Sequence, residues 1–192
     1  MRVRVICSLW LLVVACATTS ATSFVVFPKA SQLRSPDGHF VIQNENRDAA
    51  PSEMVGTFHS LWLVESATQR SRKLCDYVGL AAVAWSDGGS LIITQYVGKQ
   101  TSRALVFPNA VSDDPILLDK STLTRLVPVE LRPTLRENDH IFVEGARVQA
   151  DTLYLRVWGR GQHDPQGFHW DCTYGLNDGG ISCAQTASPS RP

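Results

Sequence analysis

Three short stretches of this chain share one grammar, and that repetition limits the fold more than any other feature. Residues 36–42 (PDGHFVI), 87–93 (DGGSLII) and 149–155 (QADTLYL) each read as a tight turn running into a strand. Phe40, Leu91 and Leu153 fall in register, as do Ile42, Ile93 and Leu155. One apolar face of period two therefore recurs three times, at spacings of 51 and 62 residues. Further strands are expected at 60–65 (SLWLVE), 102–107 (SRALVF) and 167–176, and strands preceding the turn at 80–86 (LAAVAWS) and 140–149. The expected class is all-β, with three antiparallel meander units of three or four strands each.

The first two units carry a resemblance. Ser35-Pro36-Asp37-Gly38, the basic-acidic pair Arg47-Asp48, Ser60-Leu61-Trp62-Leu63-Val64 and Ala84-Trp85-Ser86-Asp87-Gly88-Gly89 resemble two consecutive blades of a TolB-type β-propeller across residues 33–107. Gly88 stands where the family has Asp, and the third unit matches by pattern only. The chain is also similar to a set of short uncharacterised bacterial exported proteins that share this layout and end in a GHDPxGF-like stretch. The resemblance implies propeller-like blades and almost no function.

Propellers close with about 4 to 8 blades, so three units must close otherwise. A three-sheet prism, a β-sandwich, a barrel, or a homo-oligomer in which a second chain completes a ring would each do so. Between units two and three, residues 117–138 place Leu123, Leu126, Val127, Leu131 and Leu135 at helical spacing, while Pro128 and Pro133 limit this insert to one or two short helices. Such an insert is expected to cover a sheet edge or plug an open face.

The first residues bear on compartment. Arg2 and Arg4 precede an apolar run to Ala15, too short to span a bilayer, which needs about 20 residues. Residues 1–15 read as a secretory signal peptide. Val13-Val14-Ala15-Cys16 resembles the lipobox of bacterial lipoproteins, which implies cleavage before Cys16 and lipidation of its thiol. By the sorting rule of that family, Ala17 implies the outer membrane, facing the periplasm. Ala15-Cys16-Ala17 also fits ordinary cleavage after Ala17, giving a soluble periplasmic or secreted protein. Residues 16–23 then read as a tether, 24–186 as a single β domain and 187–192 as a loose tail.

Without Arg2 and Arg4 the 18 basic residues fall to 16 against 18 acidic ones, a net charge of −2. No basic run serves a nucleic acid or an anionic lipid surface, so the expected membrane contact is the lipid anchor alone. Cys75, Cys172 and Cys183 remain in an oxidising compartment. Cys172 and Cys183 flank the turn signal LNDGG at 176–180; a hairpin with Asn177 and Asp178 as its loop sets them directly opposite, so they are the expected disulfide. Cys75 is left as a small buried side chain.

The stretch GRGQHDPQGFHWD at 159–171 gathers His163, Asp164, His169 and Asp171, which could supply nitrogen and oxygen ligands to a metal. A hairpin accounts for most of them instead. If Asp164 opens a type I turn with Pro165 and Gly167, and the loop extends over 161–166 so that Arg160 opposes Gly167, then Leu153 faces Tyr174, Leu155 faces Cys172 and Val157 faces Trp170. Arg156 then faces Asp171, and Trp158 faces His169, on the opposite face. No metal and no cofactor are expected. His39 and His140 each begin a strand and His59 precedes one.

No GxSxG elbow, HExxH or P-loop pattern occurs, and no catalytic residue is assigned. Ser86–Ser90 (SDGGS) reads as a turn, Asp113-Asp114 as a solvated loop, and Asp119 and Lys120 as surface charge. The expected function is a non-enzymatic cell-envelope lipoprotein that binds a protein or a glycan. Five tryptophans favour it, because Trp62, Trp85, Trp158 and Trp170 are many for a plain surface, although all four could fill the core. An inhibitor of a secreted hydrolase such as lysozyme, using the loop at 161–166, and a small metal-dependent hydrolase are the two other classes.

Overall fold

The computed structural model describes residues 22–47, 58–97, 100–112, 114–162 and 165–186. The signal peptide, Cys16, the tail at 187–192, Asp113, His163 and Asp164 lie outside the described residues.

The chain is all-β, with three antiparallel sheets and two short helices. The first sheet is the meander β2 (Gln32–Arg34), β3 (Phe40–Arg47), β4 (Phe58–Glu65) and β5 (Ser71–Val78). The second comprises β6 (Ala81–Trp85), β7 (Leu91–Val97), β8 (Thr101–Phe107) and β9 (Ile116–Leu118), with β1 (Val25–Phe27) added beside β6. The third is β10 (His140–Gln149), β11 (Thr152–Arg160), β12 (Phe168–Gly175) and β13 (Ile181–Gln185).

The sheets stack with the second in the middle. One face of the central sheet, through Ile42's neighbours Leu91, Ile93, Leu105 and Phe107, packs against Ile42, Leu61 and Tyr77 of the first sheet. Its other face, through Ile92, Ala104 and Val106, packs against Val143, Leu155 and Trp170 of the third. The closure is thus neither a barrel nor a two-layer sandwich. Two dry seams share one central sheet.

The repeated turns behave alike in the first two units. Ser35 N donates to Phe40 O and Ser86 N to Ser90 O, while Ser35 Oγ accepts from Phe40 N and Ser86 Oγ from Ser90 N, each at 2.9 Å. Gly38 (φ +74°) and Gly89 (φ +84°) occupy the left-handed conformation that a side chain resists. The third turn is tighter, with Ala150-Asp151 joining Gln149 to its partner Thr152.

The insert forms α1 (Lys120–Leu126), a 3-10 turn at Val129–Leu131 and α2 (Arg132–Glu137). Asp119 caps α1, accepting from Thr122 N at 2.8 Å; Pro128 ends it by forcing Val127 into an extended conformation, and Pro133 sits in the first turn of α2. Leu123, Val127 and Leu135 are buried in the seam between the central and third sheets, so the insert plugs that seam at one end. Leu126, expected on the apolar face, points to solvent.

In the third sheet the expected register holds pair by pair: Leu153 with Tyr174, Leu155 with Cys172, Arg156 with Asp171, Val157 with Trp170, Trp158 with His169. Cys172 pairs with Cys183 and the two are bridged. The turn between them is longer than two residues. Gly175 N donates to Gly180 O and Gly179 N to Gly175 O, making a four-residue loop that keeps the same register.

Thr22 already pairs with Val148, two residues inside the segment read as a tether. The Phe24 ring then fills the space a side chain at Gly145 would need, and β1 pairs with β6. The N-terminal segment therefore laces the third sheet to the central one.

Candidate functional site

Strand directions give the stack two unlike ends. One end collects the tight turns at 35–39, 86–90, 150–151 and 176–179, and Thr22 enters beside it. Two of its carboxylates have structural tasks. Asp37 holds the Ser35 hydroxyl and the His39 N–H, which together keep its carboxyl below the usual range, and Asp178 accepts from Gly180 N at 2.9 Å. A side chain at Gly88 would stand 3.2 Å from Asp151 Oδ1, so two of these turns touch.

The other end carries α1, α2, the β5–β6 and β7–β8 connections and the β11–β12 connection. Here the surface turns apolar. Val78 (40% exposed), Leu80 (44%), Tyr96 (41%), Val97 (44%), Leu126 (38%) and Val129 (70%) all lie at this helical end, against Val111 and Ile116 at the other. Two clefts open beside them. One of about 660 Å³ lies between β8 and α1, lined by Val97, Thr101, Ser102, Arg103, Lys120 and Arg125 among others. A smaller one of about 210 Å³ runs between the central sheet and β10, lined by Leu80, Tyr96 and Glu144. The Tyr96 hydroxyl donates to Glu144 Oε1 at 3.1 Å, and burial followed by that carboxylate pushes its pKa up.

The outer face of the third sheet is the second candidate. Phe142, Trp158 and His169 form a cross-strand row, with ring centroids 3.9 Å apart for the first pair and 6.1 Å for the second, all nearly parallel; Tyr96 meets Phe142 edge-on. Trp158 stacks with both Phe142 and His169. A sugar would need a free ring face, and the Tyr154 ring is covered by the Arg147 guanidinium at 4.0 Å.

Of the four candidate ligands at 163–171, His169 and Asp171 lie two residues apart on this face, His169 stacked on Trp158 and Asp171 exposed beside Arg156. Among the described residues no three His, Cys, Asp or Glu side chains converge as a metal site would require. His59 departs from expectation. It lies inside β4, buried, its Nδ1 2.9 Å from Asn46 Oδ1 and its ring stacked on Tyr77.

Asp119 and Lys120 are not plain surface charge either, since Asp119 caps α1 and Lys120 Nζ donates to Asn138 O at 2.6 Å. Cys75 is only partly buried and carries no bridge, and desolvation pushes its thiol up to about 12, which favours the neutral thiol at neutral pH. Trp85 and Trp170 fill the core, while Trp62 and Trp158 are half-buried on outer faces.

Comparison with protein-family models, with curated proteins and with solved structures finds no match. Sequence reasoning missed the helical end because its apolar residues come from strand ends and loops far apart in the chain, with no motif to join them.

Proposed function

We propose that this chain is a non-enzymatic lipoprotein of the bacterial cell envelope that binds another protein through its helical end. The observation that carries this reading is the segregation of exposed apolar residues to the end opposite Thr22. Cys16, as the lipidated residue, lies six residues before Thr22, a span of at most about 20 Å. The tight-turn end then faces the outer membrane and the helical end points into the periplasm. Grouped exposed apolar residues are the usual mark of a protein interface. The Cys172–Cys183 bridge supports an oxidising compartment.

A protein partner is favoured over a glycan because the Trp158 ring, the centre of the aromatic row, is stacked with both Phe142 and His169. The second reading, inhibition of a secreted hydrolase, would use the same end, since β11 and β12 are joined there.

The test places a photo-crosslinking residue at Leu80 or at Val111 in cells. Leu80 should give a discrete adduct that Val97→Asp abolishes, and Val111 should give none. Equal adducts from the two sites, or none from Leu80, would remove the reading.

A further inference from the structure

We propose that the cleft between β8 and α1 binds an extended acidic peptide, which adds to the free half of β8 as a strand in line with β9. This rests on the reading of the helical end as a docking surface and names the partner's chemistry.

The first ground is an incomplete sheet. β9 pairs only with Ala104, Leu105 and Val106, so Thr101, Ser102 and Arg103 have a strand neighbour in β7 and none on the other side among the described residues. The cause is local. Asp119 caps α1 and turns the chain away from the β8 edge where β9 would have continued. α1 stands off from that edge, and the cleft of about 660 Å³ is the space left between them. Three strand residues offer about 10 Å of backbone, with outward N–H and C=O groups that an added strand would satisfy.

The edge is also held in place. Ser102 Oγ accepts from Val143 N at 2.6 Å and donates to Val143 O at 2.9 Å, which fixes β8 against β10. A pre-positioned edge lowers the ordering cost of binding.

Charge selects the partner. Arg103, Lys120 and Arg125 line the cleft against one carboxylate, Asp119, a net charge of +2. Each cation has a neutral hydrogen-bond partner among the described residues. Lys120 donates to Asn138 O, Arg125 to Thr122 Oγ1 at 3.2 Å, and Arg103 to the Gln95 amide oxygen at 3.0 and 3.1 Å, with that amide oriented so its nitrogen reaches Asp76 O. The Asp119 carboxylate is engaged by the cap. A net positive lining beside an open strand edge favours a segment that brings carboxylates with its backbone.

The experiment titrates the full chain with fluorescent hexapeptides of alternating Glu and Val, alternating Lys and Val, and the Glu-Val sequence N-methylated on every second residue, read by anisotropy. The Glu-Val peptide should bind, and binding should weaken at about 0.5 M salt. The Lys-Val peptide should fail, and N-methylation should weaken binding at least about tenfold, since it removes the backbone donors. Arg125→Glu, at an exposed side chain, should weaken the Glu-Val peptide about fivefold with an unchanged melting temperature. Equal binding of the N-methylated peptide would mean charge attraction alone, and equal binding of the Lys-Val peptide, or no response to Arg125→Glu, would likewise overturn the proposal. If the peptide fails while the Leu80 adduct persists, the ligand class is wrong and the docking end stands; loss of the Leu80 adduct removes the docking reading itself.

Discussion

The central sheet and the third sheet are both antiparallel meanders, yet one is dry on both faces and the other on one. In the central sheet Leu91, Ile92 and Ile93 are all fully buried, as are Ala104, Val106 and, nearly so, Leu105 and Phe107. In β11, buried Leu153, Leu155 and Val157 alternate with Thr152, Tyr154, Arg156 and Trp158, which reach the surface. A sheet covered on both faces writes continuous apolar runs, whereas one with a wet face writes alternation. The difference also decides where function can reside. The central sheet offers only its edges and ends to a partner, and the half of β8 beside α1 is one edge that β9 leaves incompletely covered.

The largest effects that would break this comparison belong to the two dry seams. Trp170→Ala should cost about 3 to 5 kcal/mol, and Ile92→Ala and Ile93→Ala about 2 to 5 kcal/mol each, although those two isoleucines point to opposite faces. In β11 the neighbouring pair should split instead. Leu155→Ala should match the isoleucines, and Arg156→Ala should stay within about 0.5 kcal/mol. Urea unfolding of the five variants measures this, and a cheap Ile92 or Ile93 would mean that one face of the central sheet is wet.

A smaller effect concerns the staple of the outer sheet. Cys172 and Cys183 are 11 residues apart, and closing a loop of that size stabilises by about 3 kcal/mol through the unfolded chain. Reductant should therefore lower the melting temperature of the native chain. It should leave a Cys172→Ala/Cys183→Ala double variant unmoved, whereas Cys75→Ala should keep the response, and a reductant effect in the double variant would contradict the pairing.

How far the sequence reaches can be seen strand by strand. The third sheet was legible because apolar residues alternate without a break along β11 and β12, and the bridge followed separately from the LNDGG turn, which sets Cys172 opposite Cys183. β5 was not. A bulge between Leu61 and Trp62 shifts the pairing so that Leu74 has no partner, and the period of two disappears from SRKLCDYV. Nor was β1, since Val25 pairs with Val83, 58 residues away, with no turn between them to announce it. The run LII at 91–93 did carry the mark of double burial, beneath the alternation used to align it. At the candidate site, the helices and their prolines were readable, whereas the apolar patch depends on which strand ends meet, a property of sheet stacking.

The smallest effect tests the face that is wet. Asp171 lies opposite Arg156 on the exposed side of the third sheet, while its neighbour Trp170 lies opposite Val157 in the seam. An exposed cross-strand charge pair contributes at most about 1 kcal/mol, so Asp171→Ala should barely move the melting temperature. A slip of one residue in this hairpin would exchange the faces and make Asp171, not Trp170, the costly position. A metal held by His169 and Asp171 would give a different pattern, in which His169→Ala and Asp171→Ala both destabilise strongly and only before chelation. Melts of the Asp171, His169 and Trp170 variants with and without chelator separate the three cases. The pairing of Trp158 with His169 and of Val157 with Trp170 leads to one expected ranking, with Trp170 far above both neighbours and no response to chelator.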